Sequence, residues 1–377
     1  MEFALTDEQI LLRDSVRRFV SEEHEFSVAL AAARSEDGFS RAHWQIFAEL
    51  GWLALLISEE GGGLGGRLED AAIIAEALGR GLVSAPFLST AVLCAGIVDA
   101  AHDFAARSSV LEKIVAGELL VALASEEQQS RYELASVTAR AKAHSDGFVL
   151  SGRKIMVIDG ASADAFIVSV QMDEGIGLFF VTADAPDLDI RRYRTIDGRK
   201  AADLGLDGVR LAADALIASP EHGLDLLERM RDRASLVMAA EALGVMEGAL
   251  DLTAEHLRTR HQFGRALGTF QSLSHRLADM FVAHENARSM VFRGLAFSDA
   301  SATARAGAVS ATMLAVEQAG EFVGGNAIQL HGGIGMANEN AVGHHYKRLR
   351  AISKTHGDRS WHLARYMRLN DKIEGAA

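Results

Sequence analysis

The stretch HLRTRHQFGRALGTFQSLSHRLADM, His256 to Met280, decides how the rest of the chain is read. Both of its ends place apolar residues at helical spacing, yet the middle carries Gly264 and Gly268. Glycine costs a helix interior about 1 kcal/mol relative to alanine, so one helix must stop and another start here. A plain helix–helix connection is one reading of the break. The other is a turn built for an anionic ligand. Arg260 offers a planar fork of donors suited to phosphate, Gly264 allows close backbone approach, and Phe263 and Gln271 add a ring and an amide.

On both sides of this turn the periodicity is helical. From Glu221 onward, long apolar-patterned segments run through HGLDLLERMRDRASLVMAAEALGVMEGALDLTAEHLRTR, FQSLSHRLADMFVAHENARSMVFRGLAFS, TARAGAVSATMLAVEQAGEFVGGNAIQLHG and a last helix near WHLARYMRL. Four long helices with short joins predict an antiparallel four-helix bundle. Ala240, Gly244 and Gly248 lie four apart and give one helix a smooth face for close packing.

Upstream the pattern changes. VALAS, FVLSG, KIMVI, AFIVSV and IGLFFVT are short runs rich in β-branched and aromatic residues, separated by pairs such as Asp146-Gly147 and Ser151-Gly152. They predict a small antiparallel β domain. Before it the chain is helical again. Thr6 and Gln9 form a capping box ahead of an apolar face of Leu5, Ile10, Leu11, Val16, Phe19 and Val20. Helices are also predicted in WQIFAELGW, EDAAIIAEALGRG and STAVLCAGIVDAA, with the glycine-dense EEGGGLGG, Glu59 to Gly66, as a loop. The expected class is α+β, with an N-terminal helical domain (1–119), a middle β domain (120–220) and a C-terminal four-helix bundle (221–377).

A net charge of -13 speaks against nucleic acid or an anionic membrane surface as partner. It does not speak against a small anionic cofactor, which local cations can hold. Cys94 is the single cysteine, so no intrachain disulfide forms. The acidic start Met1 to Ile10 lacks the basic and apolar regions of a secretory signal, and no run is long enough for a membrane helix. These features predict a soluble cytoplasmic protein, and no metal site is expected.

A second glycine cluster lies in QLHGGIGM, Gln329 to Met336. Gly332, Gly333 and Gly335 follow an apolar helix and could cradle a diphosphate, or simply end the helix. The glycine spacing is wrong for the dinucleotide-binding fingerprint, and no strand precedes it.

With both motifs in this order, the chain resembles the acyl-CoA dehydrogenases, flavoproteins that desaturate acyl-CoA thioesters between the α and β carbons. The resemblance runs from LTDEQILLRDSVRRF through ISEEGGGLGG to RTRHQFGRALGTFQSLSHRLADM and QLHGGIGM. In wording such as MEFALTDEQ and VGHHYKRL it is most similar to the bacterial small-subunit type, that of pimeloyl-CoA dehydrogenase. The resemblance implies FAD as cofactor, an acyl-CoA substrate, and a homo- or hetero-tetramer with an acyl-CoA dehydrogenase paralogue. It implies that Arg260, Phe263, Gln271, Gln329, Gly332 and Gly333 face the ADP half of a neighbour's FAD. It also implies that Ser125 places a hydroxyl against the flavin. The smooth face of Ala240, Gly244 and Gly248 would suit the tetramer core.

The sequence also departs from the family. The catalytic carboxylate is expected at one of two places, which fall on Ala234 and His356 here. Where the family's strand carries a Trp and a Thr against the flavin, this chain reads Ile155-Met156-Val157-Ile158. Two readings follow. In one, the chain is an active dehydrogenase with a displaced base, Glu241, whose bland alternative is a glutamate satisfied inside the bundle. His356 is expected to be an exposed loop residue. In the other, the chain is a silent partner subunit that completes FAD sites on an active paralogue.

Overall fold

The computed structural model describes residues 4–374; the first three residues of the acidic start and the last three of the chain lie outside them. The N-terminal part is helical: α1 (Asp7–Glu23), α2 (Phe26–Arg34), α3 (Arg41–Glu49), α4 (Leu68–Arg80), a π-helical segment Phe87–Cys94, α5 (Ala95–Asp99) and α6 (Arg107–Val115). The predicted capping box opens α1. The Gln9 amide donates to Thr6 Oγ1 and the Thr6 amide to Gln9 Oε1, both at 3.2 Å. These bonds satisfy two donors that the first turn would otherwise leave open.

Eight strands follow: β1 (Val121–Ala124), β2 (Arg140–His144), β3 (Gly147–Ile158), β4 (Ala165–Met172), β5 (Gly175–Thr182), β6 (Leu188–Arg194), β7 (Lys200–Ala212) and β8 (Leu216–Ala218). They form one sheet in the order β6-β7-β3-β2-β4-β5-β8, with β1 alongside β4. Most pairings are antiparallel, while β1 and β2 each run parallel to β4. Leu150, Phe166, Val168, Phe179 and Leu204 are fully or almost fully buried at its centre.

FVLSG and KIMVI, read as two strands, are both parts of β3. Ser151-Gly152 is not a turn but an irregularity, where the register against β7 slips. A Cβ on Gly152 would stand 2.6 Å from the Ala139 Cα, so glycine lets the loop entering β2 press against the strand.

The chain divides into two compact units. One contains Ala31–Ala71 and Ser84–Ala234. The other contains the first helix, Ala72–Val83 and the chain from Ser235. The C-terminal helices are α7 (Gly223–Thr259), α8 (Gln271–Ala296), α9 (Ala302–His331), α10 (Ala341–Ile352) and α11 (Arg359–Glu374). α9 packs against α8, α10 and α11.

The smooth face of α7 packs within the chain, which corrects its assignment to a tetramer core. A Cβ on Gly244 would lie 1.7 Å from the Glu76 carbonyl oxygen, and one on Gly248 2.7 Å from that of Arg80. In return, a Cβ on Gly79 would lie 2.2 Å from the Glu241 carbonyl oxygen. Backbones of α4 and α7 touch here, and any side chain would separate them.

Candidate cofactor site

The break between α7 and α8 is a minimal hairpin. His261–Gln262 (β9) pairs antiparallel with Arg265–Ala266 (β10). Phe263 and Gly264 form its tip with φ of 53° and 81°. A two-residue hairpin of this hand needs positive φ at both positions, which explains Gly264 and makes Phe263 an unusual occupant. The hairpin is tied at its base, where the Leu267 amide donates to the Arg260 carbonyl at 2.9 Å. Phe263 is 87% exposed, and its ring meets Phe270 edge-on at 6.3 Å. The Arg265 guanidinium lies 3.9 Å from the Phe270 ring centroid.

Beside the hairpin opens a cavity of about 570 Å³, to which Arg260, Gln329, Gly332 and Gly333 all contribute. Gly332 caps α9 at φ 64° and ψ -145°, and its amide donates to the carbonyls of Ile328 and Gln329. That conformation belongs to glycine. The motif therefore does end a helix, and it lines a cavity as well. A Cβ added at Gly332 or Gly333 would meet no atom within 4 Å, so the open space beside them is kept clear of side chains. Phe263 and Gln271 are exposed and stand outside the lining, although Ser272, next to Gln271, belongs to it.

Sequence reading missed further members of this wall. His256, His331 and Arg276 also line the cavity. The two imidazoles stack with centroids 4.4 Å apart and planes 23° from parallel. His331 stood inside the quoted glycine motif and His256 one helical turn before Arg260, but their meeting depends on tertiary structure.

In the β-containing unit, Ser125 follows β1 and is buried. Near it is a closed polar cluster around Glu127. Lys154 Nζ donates to Glu127 Oε1 at 2.7 Å and to Ser169 Oγ at 3.2 Å. The amides of Thr138 and Ala139, the Thr138 hydroxyl and the Gln129 side chain also donate to the Glu127 carboxylate. Burial alone would raise the Glu127 pKa; the Lys154 charge and these hydrogen bonds outweigh it and hold it down at about 2. Along β3 the Ile155 amide donates to the Glu126 carbonyl. Met156 has φ 52°, and its amide donates to the Tyr193 hydroxyl and to Asp203, both at 3.2 Å. Neither Met156 nor Ile158 supplies an aromatic face or a hydroxyl.

The two positions expected for a base also have defined surroundings. Ala234 is buried in α7. His356, expected in an exposed loop, is instead half-buried at φ 61°, with Nδ1 3.2 Å from the Ser235 hydroxyl. Glu241 is buried, and its two carboxylate oxygens accept from Arg348 Nε and Nη2, each at 2.8 Å. This is the geometry of a counter-ion inside the bundle, and a base role would require the pair to open. Among the described residues, no group of three or more His, Cys, Asp or Glu side chains is placed to hold a metal ion. No described helix is long and apolar enough to cross a membrane.

A helical N-terminal part, a β sheet and a helical C-terminal part with a cavity at the α7–α8 hairpin define an acyl-CoA dehydrogenase architecture. Residues 6–118, 122–209 and 221–368 match the N-terminal, middle and C-terminal domains of acyl-CoA dehydrogenase. The chain belongs to this family, and is therefore an FAD-dependent oxidoreductase. It is 29% identical to acyl-CoA dehydrogenase IpdE2 of Mycolicibacterium smegmatis, over 91% of this chain and 93% of that one. Among solved structures it is similar to a variant of the Tcur3481-Tcur3483 steroid ACAD, with 31% identity, a TM-score of 0.87 and coverage of 98% and 99%. It is also similar to the ChsE4-ChsE5 complex from Mycobacterium tuberculosis, with 25% identity, a TM-score of 0.89 and 98% of both chains covered.

The C-terminal cavity suits the ADP half of FAD. It combines a guanidinium with Gln329, Ser272 and a glycine wall that leaves room for a diphosphate. The flavin-ring end fits less well, because Met156 and Ile158 replace the ring and hydroxyl that the family resemblance leads one to expect.

Proposed function

We propose that this chain is one subunit of a hetero-oligomeric FAD-dependent acyl-CoA dehydrogenase, desaturating an acyl-CoA thioester together with a paralogue that carries the catalytic carboxylate. In this reading its domains are 1–119, 120–220 and 221–377. Arg260, Gln329, Gly332 and Gly333 hold the ADP half of an FAD whose flavin ring lies in the partner, with Phe263 and Gln271 approaching the same cofactor from the hairpin and α8. Bound FAD supplies the acceptor for the hydride leaving the acyl β carbon. Arg260 supplies the fixed cation for the diphosphate, and the glycines keep the cavity open. Ser125 remains the candidate for a flavin contact within this chain.

One observation carries the proposal: a cavity with its cation, amide and glycines in place coexists with Ala234 and His356 at the two base positions. The paired names of the similar structures, ChsE4-ChsE5 and Tcur3481-Tcur3483, support a two-component assembly. The second reading, an active chain using Glu241, rests on that residue's place on α7, two turns beyond Ala234. The Arg348 ion pair weighs against it.

The test is to purify the chain alone and with its co-expressed paralogue, count FAD per subunit, and follow anaerobic bleaching by acyl-CoA thioesters. The expected result is an active mixed assembly with fewer flavins than subunits. Full flavin loading and rapid bleaching of the isolated chain, abolished by Glu241→Gln, would establish the displaced-base enzyme instead.

A further inference from the structure

Resting on the reading of the cavity as a diphosphate site, we infer that the stacked His256–His331 pair takes up one proton when the diphosphate binds, so that cofactor retention in this protein is pH-dependent.

The geometry fixes how a proton would be received. His331 Nδ1 lies 2.8 Å from the Ala327 carbonyl, which can only accept, so Nδ1 carries hydrogen and the neutral ring keeps its lone pair on Nε2. His331 is buried and lines the cavity. His256 lies against it from the last turn of α7, and the amide of Arg260 donates to the His256 carbonyl at 2.9 Å. The charged groups that line the cavity with the pair are Arg260, beyond α7, and Arg276 on α8, while α9 contributes His331 itself. Among the described residues, no carboxylate lines the cavity.

The protein groups around the pair on their own disfavour imidazolium. Burial pushes both rings below the ordinary histidine value, and His331 and Arg260 push His256 further down. A diphosphate reverses the balance, because two negative charges enter a site that already holds two arginines and a neutral imidazole pair. Protonation at the open nitrogen of either ring then adds a charge-assisted donor toward the ligand. Two imidazolium rings stacked at 4.4 Å would repel each other, so the pair titrates as a unit and accepts one proton rather than two.

The experiment uses the mixed assembly of this chain with its paralogue, stripped of flavin, with FAD and ADP-ribose as ligands. Their diphosphates are diesters and carry no group that titrates near neutral pH. Calorimetric titrations in buffers of different ionisation enthalpy then measure proton uptake directly. The expected uptake approaches one proton per ligand near neutrality and fades toward alkaline pH. Affinity should rise by up to about tenfold per unit fall in pH where the uptake is complete. His256→Gln, at a half-buried position that tolerates a polar side chain, should cut the uptake to less than half, and His331→Gln should do the same. Binding of both ligands without proton uptake overturns this inference and leaves the cavity's assignment standing. Failure of ADP-ribose and FAD to bind at millimolar concentration overturns the assignment itself, and the inference with it. Unchanged uptake in both histidine variants moves the proton to another group and also overturns it.

Discussion

Ser235 Oγ lies 3.2 Å from Nδ1 of His356, so the two regions where the family resemblance places a catalytic carboxylate meet at one point. Ser235 follows Ala234 on α7, and His356 enters from the turn between α10 and α11 at positive φ. The turn has positive φ at two successive residues, 61° at His356 and 132° at Gly357. The acid is missing. A serine–histidine contact holds the imidazole in a fixed orientation without providing a carboxylate base.

The first prediction follows from this contact. If the paralogue supplies the base, His356→Gln in the mixed assembly should change the rate of flavin bleaching by acyl-CoA less than about threefold, because a correctly placed general base is worth a hundredfold to ten-thousandfold. A loss of a hundredfold or more would make His356 the proton acceptor. Stopped-flow absorbance of the bound flavin separates the two outcomes.

The second prediction concerns Glu241 on α7 and Arg348 on α10, two buried residues that lie 107 apart in sequence. Removing one member takes the bidentate counter-ion away from a buried charge, at a cost of about 3–5 kcal/mol. Arg348→Met should therefore lower the urea midpoint strongly. The double variant Glu241→Leu with Arg348→Met should recover much of the loss. If the single variant proves as stable as the parent, the pair contributes nothing to the fold and the case for Glu241 as a base is reopened.

How much of this was legible in the sequence depended on the range of the interaction. The Thr6–Gln9 box is local, and its residue types alone announce it. The hairpin at Phe263-Gly264 left a glycine signal whose purpose needed backbone angles to see. β2 (RAKAH) and β6 (LDIRRYR) stayed hidden because polar and charged side chains on largely exposed strands break the apolar pattern. α10 leaves a weak signal for a similar reason, since AVGHHYKRLRAI buries His345 and Arg348 along with its aliphatic residues. The small-residue face of α7 was recognised, but a sequence cannot say whether such a face meets a neighbouring chain or its own α4. His256 and His331 are near one another only once α7 and α9 have packed.

A third prediction uses pH. The folded carboxyl of Glu127 titrates at about 2 against an ordinary value of 4.5. The stability it contributes is therefore complete above about pH 4.5 and is lost as pH falls toward 2. Glu127→Gln should be less stable than the parent at neutral pH, and the difference between them should narrow across that acid window. Urea midpoints measured at intervals from pH 6 downward check this. A gap that stays constant across the window would mean that Glu127 carries no linked proton.

The last prediction tests the cavity through its cation. Arg260 is exposed at the junction of α7 and the hairpin, and among the described residues no hydrogen bond of its side chain stabilises the fold. Its backbone carbonyl and amide make the contacts that tie the hairpin down, and Arg260→Ala keeps both. The variant should therefore fold with an unchanged urea midpoint. It should lose one charge-assisted contact to the diphosphate, worth about 1.5–3 kcal/mol. That corresponds to a flavin dissociation constant weaker by roughly ten- to a hundredfold. Equilibrium dialysis of the mixed assembly, with flavin measured by fluorescence, gives the constant directly. Arg260→Lys should recover part of the affinity, because the charge returns without the planar fork. A variant that keeps its full complement of flavin under dialysis would remove the diphosphate from this cavity.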